Sequence, residues 1–342
     1  LFAELGRTVG GYRSCLAHLK TTKFRRRDTE DEDVFEMHDP FLSDGARILS
    51  SKAFRLLGDK TQVFTGLKKP FIRKRHTHVM EVTAIAMVVA DMLGLNTSLA
   101  QAIALGHDIG HVPFGHPGEH HLRKLMGKPE FCHEILGPLM MQKIERKGRG
   151  LNLTFETLDG MMRHSGDKAK KGMTPEAWVV RYVDKMAYLF ADFNDLSERV
   201  GHYIHSSLKL LMNSFGRNQR ERTTTAMSGL IIESAEQGKV SFELSDLGQK
   251  FAELRREMNT HYVKVTEQDL SLSIDPIIKF LEGLGRGDPI LLFCLLTDAD
   301  VKMLLKKRAR NIIHLQDTAL WERLPLLENI GQIDLCNPYL DW

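Results

Sequence analysis

What the chain has little of narrows its class. Only 4 cysteines occur in 342 residues, Cys15, Cys132, Cys294 and Cys336, and none forms a CxxC pair. That scatter argues against a disulfide framework and against a thiolate zinc site, and it favours a reducing, cytoplasmic compartment. Long apolar runs are missing too: a stretch such as 290–296 stops far short of the ~18 residues a membrane helix needs, so no membrane partner is expected. Near the start, Arg7, Arg13 and Lys20 interrupt the apolar positions and no compact apolar block precedes a small-residue cleavage site. A secretory leader is therefore not expected there, and the opening Leu1 leaves room for an earlier native start. A dominant charge sign is also absent, since 47 Lys+Arg against 44 Asp+Glu leave +3, too little by itself to announce nucleic acid as a partner. Neither internal repeats nor a long Pro/Gly/Ser linker divide the chain, and strand-like alternation is almost lacking.

A composition that is 42% hydrophobic and 27% charged belongs to a folded globular chain. At this length roughly three quarters of the unfolded surface is buried on folding, so no metal is needed to hold a core and any metal site should be read for chemistry. Helical periodicity dominates. Val82, Ile85, Ala86, Val89, Met92 and Leu93 predict a helix over about 76–93, closed by Gly94. A second helix should begin with Thr97 or Ser98 as its cap and end near His107 and Asp108. Thr174, Pro175 and Glu176 form a helix start that feeds an apolar pattern through Val200. Further helices are expected over 131–146, 203–215, 224–236, 245–265, 274–284 and 289–307. Two stretches read as loops: 23–33, where KFRRR meets DTEDED, and 165–173.

Histidine is the informative residue. Of 15, eight lie between 76 and 133: His76, His78, His107, His111, His116, His120, His121 and His133. His107 and Asp108 end an apolar helix and are followed by GHVPFGHPGE, a Gly- and Pro-containing turn with two more histidines and an acid. A divalent ion needs three or four imidazoles and carboxylates converging from different helices, with positions left for water and substrate. His78, His107, Asp108 and Asp184 meet that need. Asp184, Tyr188 and Asp192, spaced by four, share one face of one helix, with Lys185 beside the first.

The strings SSKAFRLLGDKTQVF, HTHVMEV, HDIGHVPFGHPGE and VDKMAYLFAD resemble those of the deoxynucleoside triphosphate triphosphohydrolases, a branch of the HD superfamily of metal-dependent phosphohydrolases. The resemblance covers about 44–196. It implies an all-α HD-domain helical bundle with additional C-terminal helices: an N-terminal extension over 1–43, the HD core over 44–200, and a helical region over 201–342 packed on that core. It also implies hydrolysis of dNTP to deoxynucleoside and tripolyphosphate at the α-phosphorus. By position in its motifs, His78, His107, Asp108 and Asp184 ligate one divalent ion, Mn²⁺ or Mg²⁺ first, with Fe²⁺, Zn²⁺ or Ni²⁺ as other choices. Arg75, Lys185, Tyr188, Asp192 and Gln62 fall on substrate contacts, and His111, His116, Glu119 and His133 on catalytic or phosphate-facing positions. His111 paired with Glu119 would handle the attacking water while His116 protonates the departing 5′-oxygen, two roles that are interchangeable at this level. Lys185 stands where many bacterial members carry a second acid, a local likeness to the metazoan branch.

The family's habits further imply a homo-oligomer, a tetramer or hexamer, with a dNTP effector at subunit interfaces. Competing readings keep the fold and change the activity. One is another HD-type nucleotidase or phosphodiesterase, and the other is a regulatory protein that binds nucleotide or single-stranded nucleic acid. Two basic groups, Arg217, Arg220 and Arg222, and Lys302, Lys306, Lys307, Arg308 and Arg310, lack interleaved aromatics and read first as solvated helix faces or intersubunit ion pairs. His76, His120 and His121 read as surface residues.

Overall fold

The computed structural model describes residues 35, 38–63, 72–169, 172–200, 203–266, 270–308, 315–328 and 330–337. Most of the N-terminal extension, including the KFRRR and DTEDED runs, lies outside the described residues, as does Arg310. Fifteen α-helices are described. The first eight are α1 (Pro40–Ser50), α2 (Lys52–Leu56), α3 (Arg75–Met92), α4 (Thr97–Gly106), α5 (Gly115–Met126), α6 (His133–Lys143), α7 (Phe155–Arg163) and α8 (Pro175–Asn194). The rest are α9 (Ser206–Asn213), α10 (Gln219–Gln237), α11 (Asp246–Thr266), α12 (Ser271–Gly283), α13 (Pro289–Cys294), α14 (Asp298–Arg308) and α15 (Leu324–Leu327). The fold is all-α; among the described residues the only extended pairing is an antiparallel bridge between Thr61 and Lys74.

The central helices form where periodicity and caps coincide. On α3, Val79, Val82, Ala86 and Val89 are fully buried, each larger apolar side chain contributing roughly 1.5–3 kcal/mol when taken from water. Thr174 caps α8 by accepting from Ala177 N at 3.2 Å, with Pro175 at the first helical position, where its missing N–H costs nothing. α4 is capped by Asn96 rather than by Thr97 or Ser98: Asn96 Oδ1 accepts from Leu99 N at 2.9 Å, an equally good capping group one residue earlier.

Several boundaries differ from expectation. α8 stops at Asn194 and continues as a π-type turn over Asp195–Val200. The helix expected over 289–307 is two, α13 and α14, because Thr297 starts a new cap. Helices α1, α2, α5, α7 and α15 lie outside the expected set. Pro117 and two glycines make the start of α5 read as a turn, yet a first helical turn tolerates proline because its N–H groups have no intrahelical partner.

Residues after 200 enter both apolar cores. One joins Val82, Leu99 and Phe190 to Phe215, Phe242 and Phe251, and the other joins Ile48, Ile109 and Leu136 to Ile274, Phe293 and Leu304. Arg222, expected on a solvated face, is buried: it donates to Gly216 O at 3.0 Å and Asn194 Oδ1 at 3.1 Å and covers the Phe193 ring. Lys302 and Lys306 are exposed.

Candidate metal centre and substrate cavity

Three helices converge on one point. The first turn of α3 delivers Arg75 and His78, the end of α4 delivers His107 and Asp108, and the middle of α8 delivers Asp184. His78 Nε2 lies 3.0 Å from Asp184 Oδ1 and 3.6 Å from Asp108 Oδ2. His107 Nε2 lies 3.5 Å from Asp108 Oδ1 and 3.7 Å from Asp184 Oδ1. His107 Nδ1 is committed to Ala104 O at 2.7 Å, which fixes the ring, while its Nε2 is buried with no hydrogen-bond partner. An imidazole oriented through one nitrogen with the other orphaned toward two carboxylates is the arrangement a divalent cation satisfies, so the four residues fit a metal. Candidate ligand atoms of His78, His107 and Asp108 all lie within 4.8 Å of one another.

The charge states agree. Burial lowers the His78 pKa and so favours the neutral, ligating imidazole. Burial would raise Asp108, but Arg75, His107 and His111 outweigh it and hold the carboxyl well below its usual range. Asp184 follows the same logic, with burial overcome by the His78 hydrogen bond and the His107 charge.

Among the described residues, Arg75 is the largest fully buried side chain. Its Nη1 donates to Asp108 Oδ2 at 2.6 Å, and its Nη2 donates to Thr61 O at 3.2 Å and Gln62 O at 2.9 Å. The turn from His107 to Gly115 then brings in the imidazoles. Gly110 is required here: a Cβ on it would come within 2.1 Å of His133 O, so only glycine lets the turn lie against α6. His111 Nε2 sits 3.2 Å from Asp108 Oδ1. Its ring stacks on His133 with centroids 3.7 Å apart, and His116 meets both rings edge-on at 5.0 and 5.3 Å. Burial, then Arg75 and His133, push His111 well below its usual pKa. His133 goes the other way: burial opposes its charge, but Glu134 and Glu119 prevail and push it up to about 9.

Arg75, His78, Asp108, Asp184 and the rings of His111, His116 and His133 line a cavity of about 370 Å³, a volume typical of small-molecule sites. Gln62, Tyr188, Asn259 and Tyr262 line the same cavity. Gln62 Oε1 is buried there without a partner, and the Tyr188 and Tyr262 rings meet edge-on at 6.1 Å.

Not every expected site residue faces the cavity. Glu119 accepts from His133 Nδ1 at 2.8 Å and from Arg123, so it braces His133 rather than pairing directly with His111. Lys185 is buried and donates to Arg181 O at 2.7 Å, and burial lowers its ammonium to about 8. Asp192 accepts from Arg73 Nη2 at 2.9 Å and from the Tyr262 hydroxyl at 2.9 Å. His120 is exposed, His76 is exposed beside Phe54, and His121 pairs with Asp275 at 2.6 Å.

Other participants carry no motif that announces them. His164 lines the cavity, its Nδ1 on Met161 O at 2.7 Å and its ring 5.0 Å from His107; burial, His107 and His133 lower it to about 3. His164 is the C-cap of α7, which has 9 residues and lies outside the expected helices. Arg73 enters from just before α3, and Asn259 and Tyr262, three residues apart, from α11.

An HD-domain family profile matches residues 75–189. A deoxyguanosinetriphosphate triphosphohydrolase-like protein of Clostridium tetani is 41% identical over 225 residues, covering 63% of this chain and 64% of that one. One of the same name from Caldanaerobacter subterraneus is 44% identical over 176 residues, 52% of this chain and 51% of its own. Another from Clostridium perfringens (strain SM101) is 38% identical over 232 residues, 66% and 67% of the two chains. The chain thus spans about half to two thirds of the length of these relatives. With this similarity and the candidate ligand set on three packed helices, the chain belongs to the HD-domain family of deoxyguanosinetriphosphate triphosphohydrolase-like proteins.

Proposed function

We propose that this protein is a metal-dependent phosphohydrolase that cleaves deoxynucleoside triphosphates to deoxynucleoside and inorganic tripolyphosphate. One observation carries the reading: a candidate two-imidazole, two-carboxylate ligand set borders a cavity of about 370 Å³ that a buried arginine and three further imidazoles line. His78, His107, Asp108 and Asp184 would hold the ion. A divalent cation there supplies Lewis acidity toward a phosphoryl oxygen.

The chain's own groups divide the remaining work. Arg75 complements charge that builds on the α-phosphate. His133, with a pKa of about 9, is cationic at neutral pH and faces the phosphates as a charge. His111 is neutral, and its buried Nδ1 has no partner, so it can take the proton of an attacking water. His116 meets it edge-on; burial and the His133 charge lower its pKa, so it would take up a proton in the complex before delivering one to the departing 5′-oxygen. Sugar and base then lie against Gln62, Tyr188 and Tyr262. For Asp192 to read a 3′-hydroxyl, Tyr262 must release it, and for Lys185 to reach a phosphate it must leave Arg181 O.

The test is to incubate the purified protein with each dNTP, singly and mixed, with Mn²⁺ or Mg²⁺, and to resolve the products by ³¹P NMR. Intact tripolyphosphate with free deoxynucleoside is the expected result, and turnover confined to mixtures points to an effector site. Pyrophosphate or orthophosphate would overturn the reading in favour of another HD hydrolase. Metal binding without turnover would favour a nucleotide-binding regulator.

A further inference from the structure

One acid from the distant C-terminal region reaches the segments that hold the site together. Asp298, buried at the start of α14, accepts from Phe114 N at 2.9 Å through Oδ1. Its Oδ2 accepts from Thr61 N at 3.2 Å and from the Thr61 hydroxyl. The helix does not need this carboxylate as its cap. Thr297 and Asp300 cap each other, with Asp300 N donating to Thr297 Oγ1 at 3.1 Å and Thr297 N donating to Asp300 Oδ2 at 2.8 Å.

Both partners of Asp298 flank Arg75. Arg75 Nη2 donates to the carbonyls of Thr61 and Gln62, and a Cβ added to Gly115, the residue after Phe114, would sit 3.1 Å from Nη2 and 3.6 Å from Gln62 O, so the two segments meet around the guanidinium. Arg75 N also donates to Lys60 O at 3.1 Å, and Lys60 Nζ donates to His111 O. Phe114 holds a left-handed φ of 69°, a conformation that a bulky residue keeps only when its surroundings impose it.

We propose that Asp298 is a positioning residue: by tying Thr61 to Phe114 it fixes the two segments that meet around the Arg75 guanidinium and so aims that group at Asp108 and at the bound phosphate. Its role in turnover rests on the hydrolase reading above. A double-mutant cycle of Asp298→Ala and Arg75→Ala tests it, with kcat and KM measured on dGTP and on bis(p-nitrophenyl) phosphate, and Mn²⁺ affinity measured by EPR. Asp298→Ala should lower kcat/KM by roughly tenfold to a hundredfold, as small misplacements of a charged group do, and should leave Mn²⁺ bound. In the Arg75→Ala background the same change should cost nothing further. Thr61→Val, which removes one donor and keeps the Phe114 bond, should give a smaller loss and serves if Asp298→Ala folds poorly. Asp298→Asn should recover part of the rate, because its amide oxygen still accepts from Phe114 N. Equal losses with and without Arg75, wild-type kinetics in Asp298→Ala and Thr61→Val, or loss of Mn²⁺ would overturn the proposal. A wild type that cleaves only the synthetic ester overturns the dNTP reading instead, and the cycle on that ester still decides Asp298.

Discussion

The His133 ring lies flat on His111, 16° from coplanar, with its Nδ1 held by Glu119 at 2.8 Å. A cationic imidazole is thereby stacked on a neutral one, because Glu119 and Glu134 serve the first and neither serves the second.

Stability should depend on that charge. His133 titrates at about 9 in the fold and near 6.5 when unfolded, so the stabilisation from its proton is fully present below pH 6.5 and is lost as pH rises through about 9. Denaturant titrations of wild type and His133→Gln at pH 6 and pH 10 should show wild type losing on the order of 3 kcal/mol more than the variant across that span. Equal losses would place the His133 pKa near its ordinary value.

Metal retention and rate should separate by residue. Asp184→Ala removes a carboxylate shared by His78 and His107, so metal content and turnover should vanish together. His111→Ala should keep the metal and lose roughly a hundredfold or more in rate, the range for a general acid or base. Metal analysis of both variants beside their kinetics checks the division.

Lysine should not replace Arg75. The guanidinium bonds Asp108 with one nitrogen and two backbone carbonyls with another, a span that a single ammonium cannot cover. Arg75→Lys should lower kcat/KM by roughly a hundredfold through loss of transition-state stabilisation. Kinetics within a fewfold of wild type would show that only the charge matters.

Arg73 should matter to folding. It donates to Asp192 and Glu81 from a buried position, so Arg73→Met leaves Asp192 in the interior without its cation. A loss of about 3–5 kcal/mol is expected in chemical denaturation, the range for breaking one side of a buried pair. Asp192→Asn in the same background should recover part of that loss.

The all-α class, the approximate extents of α3, α4 and α8, and the candidate ligands His78, His107, Asp108 and Asp184 were legible in the sequence. Apolar spacing and capping residues act over a few neighbours, and a His-Asp pair inside a dense histidine segment is a local signal. Tertiary structure alone decided which groups meet. Glu119 went to His133 because the N-terminal half of α5 faces the start of α6, and His164 joined the site as the C-cap of α7, where no motif surrounds it. Asp298 reached Thr61 and Phe114 across 237 and 184 residues. Such contacts depend on how whole helices pack, and the residues that make them carry no pattern that marks one another along the chain.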